Sequence, residues 1–190
     1  MQKYAKIVDE EARLVDIGTG TDVAFYASIG MTLMDVEQGY DGAWYVAGYA
    51  SKQPLSELRT AALSRIDSAT SSAILAGFEY EVEGESLHFS YDSFDQQNFS
   101  DTANGALLAM QGVESVPTSV KWNGWRNHSA EYKGDLVRLV LDVQTFLALY
   151  TGGALVHKSV QMEIGGQRKA AIEAAETVEE INALLEGWKI

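Results

Sequence analysis

The chain has 190 residues, 46% of them hydrophobic and 22% charged, with 27 acids against 14 bases and a net charge of −13. That length is ample for a buried core, and the composition is that of an ordinary globular protein. The sequence contains no cysteine, which excludes disulfides, thiolate metal sites and a thiol nucleophile, and the acid excess argues against nucleic acid, whose phosphates need a basic face.

At the N-terminus, Met1-Gln2-Lys3-Tyr4-Ala5-Lys6 has no apolar signal core behind its charges. Tyr4 to Val8 and Arg13 to Ile17 read as short strands around the acidic turn Asp9-Glu10-Glu11. Gly18-Thr19-Gly20-Thr21 reads as a loop, since it lacks the third Gly and long helix of a dinucleotide site. Thr32 with Asp35 predicts a capped short helix ending near Gly39. Tyr40-Asp41-Gly42 is a turn signal, and Trp44 to Tyr49 is aromatic and strand-like. Ser51-Lys52-Gln53-Pro54 marks a boundary between a strand-and-turn module, 1–53, and a larger domain, 54–190, with Pro54 suited to a first helical turn.

Beyond it, Leu55, Leu58, Ala62, Ile66, Ala69 and Ala73 recur at spacings of three and four, the apolar face of a long helix that Gly77 ends. Phe78, Tyr80 and Val82 alternate with Glu79, Glu81 and Glu83. Leu87, Phe89 and Tyr91 alternate beyond Gly84, so the pair is a β-hairpin with one wet face. A slip of one residue would turn the glutamates inward. Ser93 with Gln96 reads as a capping box for a helix facing inward through Phe99, Ala103, Ala106 and Met110. Val120, Trp122 and Trp125 lie on a further strand, and Leu136 to Leu141 on another, with Val137, Leu139 and Leu141 against Arg138 and Val140. Asp142 caps a helix carrying Phe146, Leu149, Tyr150, Leu155 and Ile164, which Gly152-Gly153 splits or kinks. Thr177 with Glu180 is a capping box opening the final helix. The order of elements predicts an α+β fold. No apolar run reaches the roughly 18 residues of a membrane span, so no membrane contact is expected.

Chemistry is harder to find. His88, His128 and His157 lie far apart, and none pairs with another at ligand spacing. The segment from Gly153 to Ser159 has Lys-Ser but puts His157 where a phosphate loop needs Gly. The sequence has no Gly-x-Ser-x-Gly elbow, no calcium loop and no His-Glu-x-x-His. No catalytic residue, cofactor or metal is therefore expected. Glu79, Glu81, Glu83 and Glu85 form a carboxylate row at strand period, read as a solvated face that also guards an edge by charge; a metal or a Lys-rich partner is the alternative. The best recognition candidates are Trp125 and Arg126, in the polar stretch Asn123 to Tyr132 between two strands, because Trp, Tyr and Arg are enriched at binding hot spots. Trp122 is expected in the core. The alternative for Trp125 is that it caps the core and the loop is inert. Trp44 and Tyr45 are the matching candidates in the first module.

Several short stretches occur in a familiar order: Leu58-Arg59, Phe78 with Tyr80, the polar run Asp92 to Asn98, Val120-Lys121-Trp122, Phe146, His157, Lys169-Ala170-Ala171-Ile172 and Thr177. On these, 54–190 resembles an uncharacterised domain family of tailed-phage and prophage tail-fibre and tail-accessory proteins. The stretch GMTLMDVEQGYDGAWYVAGYA, from Gly30 to Ala50, resembles the N-terminal segment of phage and prophage tail proteins. The resemblance implies a non-enzymatic, tail-associated protein, either a structural adaptor or a fibre-assembly accessory, whose partner is a tail or fibre protein. The alternative is a phage-encoded inhibitor that binds a host protein. Homo-oligomerisation is left open. The implied location is the host cytoplasm during synthesis, with the virion tail as a later one.

Overall fold

A computed structural model describes residues 3–190; Met1 and Gln2, the start of the N-terminal stretch read above, lie outside the described residues. Helices and antiparallel sheets make an α+β fold, as expected. The chain parts into two compact units, one holding the residues up to Thr60 with Glu176–Asn182, the other Ala61–Ala175 with Ala183–Ile190.

In the first unit, β1 (Lys3–Asp9) and β2 (Leu14–Thr19) form a hairpin. The Asp9 carboxylate closes its turn by accepting from the Glu11 and Ala12 amides, both at 2.9 Å. Because β2 runs through Thr19, Gly18 and Thr19 belong to a strand, not to the expected loop. The helix expected between Thr32 and Gly39 is absent. Those residues pair as β3 (Thr32–Leu33) and β4 (Val36–Gln38), which with β5 (Trp44–Val46) complete a sheet of order β3-β1-β2-β5-β4. Pairing of Thr32 with Ala5 and of Val36 with Val46 overrides the local cap signal. The helix of this unit comes earlier, α1 (Val23–Ser28), capped by Asp22 on the Phe25 amide at 2.9 Å. Its Tyr26 ring stacks on Tyr4 at 4.3 Å.

The helix α2 (Leu55–Leu75) starts from the Pro54 carbonyl, which accepts from the Glu57 and Leu58 amides. Leu58, Ala62 and Ile66 are buried on its predicted face. It ends at Gly77, whose φ of +86° only glycine adopts freely.

The second unit is built on β6 (Phe78–Val82), β7 (Glu85–Phe89), β8 (Ser119–Arg126) and β9 (Asp135–Asp142), antiparallel in that order. Glu83 and Gly84 both have positive φ, +54° and +83°, the two-residue turn that matches strand twist. The hairpin register is the predicted one: Phe78, Val82, Leu87 and Phe89 are buried, Tyr80 is half-buried, and Glu79, Glu81 and Glu83 are exposed. The core they join includes Tyr91, Phe99, Ala103, Ala106, Leu141, Phe146 and Leu149.

Two helices of this unit depart from expectation in detail. α3 (Ser93–Met110) is capped by Asp92, not Ser93. The Asp92 carboxylate accepts from the Phe94 and Asp95 amides, and a full negative charge suits a helix start better than a hydroxyl does. Gln96 instead reaches the Tyr91 carbonyl. Met110, in the last turn, is 53% exposed and outside the core. Asp142 caps α4 (Val143–Ala148) on the Thr145 amide at 2.7 Å. The run then continues without a break through a π-helical segment, Leu149–Leu155, into α5 (Val156–Ala174). Gly152-Gly153 therefore neither splits nor ends it. Gly153 and Ala154 point inward and Leu155 outward; the wider π turn then shifts the phase of the buried face, so Gly165 faces inward while Ile164 is left exposed. At α6 (Val178–Trp188), the Thr177 hydroxyl accepts from the Glu180 amide at 3.1 Å, and the Glu180 carboxylate accepts from the Thr177 and Glu176 amides, the predicted capping box.

Candidate functional site

The sheet of the second unit has two unlike faces because side chains alternate along each strand. Trp122 takes the inner face, its ring 4.4 Å from Phe99 and 5.1 Å from Phe146. Its neighbours in sequence take the outer face. There, Glu79, His88, Trp125 and Leu136 are successive cross-strand partners on β6, β7, β8 and β9. Leu136 and Val140 on the same face are 47% and 67% exposed.

Among the described residues, His88 is the one buried side chain of the Asp, Glu, His, Lys and Arg types, at 8% exposure. Its ring is fixed on three sides. Nδ1 lies 3.1 Å from Glu79 Oε1. Nε2 lies over the Gly77 backbone, where an added methyl would come within 2.7 Å of it. On its flat side the His128 ring stacks at 3.5 Å with 6° between planes. Burial first, then the neighbouring His128, holds the His88 ring below its ordinary pKa, against the pull of Glu79 and the Ala76 backbone. Far apart in sequence, the histidines do not all stay so in space. The fold brings two of the three together with a carboxylate, their ligand atoms all within 4.8 Å of one another.

The end of the β8–β9 hairpin is tied down by polar contacts. The Arg126 guanidinium forks onto the Glu85 carboxylate, with Nη2 donating to Oε2 at 2.8 Å. Each holds the other charged: the arginine is raised further and the carboxyl lowered. Tyr132 and Asn127 both donate to Asp135, at 2.6 and 3.1 Å, and lower its pKa, Tyr132 the more. Lys133 Nζ sits 4.9 Å from the centre of the Trp125 ring. A cleft of about 220 Å³ opens beside that ring, lined by Ser90, Asp95, Asn98, Lys121, Trp122 and Asn123.

The predicted contact residues are therefore placed as follows. Trp125 is half-buried on β8, the strand expected to carry it with Val120 and Trp122; Asn123-Gly124, in the polar stretch expected between two strands, are strand residues too, and Gly124 lies against Leu87 and Phe89. Arg126 is exposed at the strand's end. In the first unit Trp44 is half-buried with Lys3 Nζ 4.0 Å over its ring. Tyr45 is 8% exposed and its hydroxyl donates to Asp41, so it serves the core of that unit and offers little side chain to a partner. His157 has a structural place, with Nε2 at 3.1 Å from the Ile74 carbonyl and its ring against Phe78. Sequence reasoning missed His88 and His128 as a pair; the signal available was that His88 shares its strand face with the glutamates it pairs across.

Residues 57–184, more than half of the chain, match the family described as domain of unknown function DUF4376, and the chain belongs to that family. The description gives no function and no link to tail proteins. No curated protein and no solved structure matches the chain.

Proposed function

We propose that this chain is a non-enzymatic, tail-associated protein of a tailed phage or prophage that acts by protein–protein contact through the outer face of its second sheet. One observation carries the reading: that face presents Leu136 and Val140 largely exposed beside Trp125, on a strand whose far edge pairs with no other strand among the described residues. An eight-residue edge of this kind accepts an added strand. Glu79, Glu81 and Glu83 flank the apolar row on the β6 side, so the matching surface pairs an apolar strip with Lys or Arg. The occupant proposed is a tail or fibre chain with that surface, and the setting comes from the resemblance of Gly30 to Ala50 and of 54–190 to tail proteins. The polar groups at the hairpin end, Arg126 with Glu85 and Tyr132 with Asp135, are spent on one another and fit a scaffold better than a reaction centre.

The test is co-expression with the tail and fibre proteins of the encoding genome, read by size exclusion and native mass spectrometry. A defined complex is expected, with Val140→Glu and Leu136→Glu each weakening it at least tenfold while the variants keep their melting temperature. A complex that both variants leave intact would move the contact off this face. Binding to a defined host protein through the same face, and to no tail protein, would instead favour the inhibitor reading.

A further inference from the structure

We infer that Glu79, His88 and His128 form a binding site for a divalent transition-metal ion of the zinc class, with His88 ligating through Nδ1. This goes beyond the contact reading and does not depend on it. The argument starts from placement. Strand register sets Glu79 opposite His88, with His88 Nδ1 3.1 Å from Glu79 Oε1, and the His128 ring lies 3.5 Å over the His88 ring. Three side chains of metal-ligating type thus converge from β6, β7 and the connection after β8. An ion at this place would take a nitrogen lone pair from each imidazole and the charge of the carboxylate.

The ligand set agrees. Two imidazoles and one carboxylate suit Zn²⁺, Co²⁺ or Ni²⁺ better than Mg²⁺ or Ca²⁺, which prefer oxygen alone. Three protein ligands leave a fourth position to water. The ligand atoms already lie within 4.8 Å of one another. Two imidazoles on one ion, each bound at about 2.0–2.1 Å, have ring centres roughly 5 Å apart, whereas these stand at 3.5 Å. Binding must therefore slide His128 outward by on the order of 1–2 Å. The His128 ring can do so by turning about its own side-chain bonds while the connection stays tied, because it is exposed and lies beyond the end of β8, outside the strand ladder. His88 and Glu79 need not move, since both are held in strand register.

The experiment uses the full chain stripped with EDTA and titrated with zinc chloride by calorimetry, with long-range ¹H–¹⁵N NMR of the imidazoles. One ion per chain is expected. The His88 Nδ1 resonance should shift on binding. His128→Ala and Glu79→Gln should each weaken binding at least ~10-fold, with the metal-free melting temperature unchanged for both. His88→Ala risks unfolding the sheet, so the two exposed ligands carry the test. Absence of saturable one-to-one binding would overturn the site. So would binding that survives undiminished in both variants, or an Nδ1 signal unmoved by zinc.

Discussion

Replacing Gly153 and Gly166 by Ala, one at a time, makes the same chemical change in one continuous helical run and is expected to move stability in opposite directions. Ala for Gly in a helix interior contributes about 0.5–1 kcal/mol. At Gly166 a methyl meets nothing within 4 Å, so that gain should appear in full. At Gly153 the methyl would stand 2.5 Å from Phe78 Cε2 and 3.2 Å from Tyr80 Cδ2. Phe78 cannot step aside cheaply: it is 6% exposed, and its ring is packed against Phe89, Tyr91 and Phe99 at 5.7–6.0 Å. Forcing an extra methyl into such a place costs about 1–3 kcal/mol. Subtracting one variant from the other cancels the helix preference and leaves the clash alone, so the two should differ by roughly 1–3 kcal/mol. In a chain of this size that is on the order of 2–12 °C in melting temperature. Urea unfolding with a shared m-value gives the difference directly. If both variants are stabilised equally, β6 does not rest on the π-helical segment and the account of its glycines is wrong.

The capping box at Thr177 gives a second expectation: Thr177→Ala should lose about 1 kcal/mol, Glu180→Ala a similar amount, and the double variant less than their sum because both act on one helix start; thermal unfolding by circular dichroism measures it. Asp142 gives a third. The Thr145 backbone and hydroxyl hold its carboxyl below the ordinary value, so its contribution is complete above the unfolded pKa of about 3.9 and fades as the pH falls through the lower folded value. Asp142→Asn keeps a capping group but cannot titrate. Its stability between pH 5 and pH 2 should fall less steeply than that of the wild type, and equal slopes would remove the assignment.

What the sequence made legible was whatever rests on local period. The alternation of Phe78, Tyr80 and Val82 with three glutamates defines the hairpin register, because the other register buries charge. The spacing of Leu58, Ala62 and Ile66 defines a helix face, and Thr177 with Glu180 a helix start, and all three agree with the structure. Strands of two and three residues, Thr32–Leu33 and Val36–Gln38, have too few residues to show a period, so pairing with β1 and β5 decides them. Ile164 was misplaced for a related reason: unbroken α-helical spacing from Phe146 puts it inward, but the phase changes at Leu149–Leu155, where Phe78 and Tyr80 lie against Gly153. That cause is tertiary and leaves only a Gly pair in the sequence.

The candidate site was hidden by the same distinction. Asn123-Gly124 has turn composition, yet Gly124 is glycine because Leu87 and Phe89 lie 3.2–3.3 Å from where its side chain would be; composition alone cannot tell a turn from a close crossing of strands. Once Gly124 is a strand residue, Trp125 falls opposite His88, and His128, three residues on, arrives over β7. The Glu79 side of the cluster depends on the hairpin register, which alternation reveals. The His128 side depends on one long-range pairing, which nothing local specifies. A slip of one residue between β7 and β8 would turn Trp125 to the inner face and carry His128 off His88. Zinc ligation by both histidines would therefore test that pairing as well as the site, and binding lost in Glu79→Gln but kept in His128→Ala would locate the disagreement in β8 rather than in the hairpin.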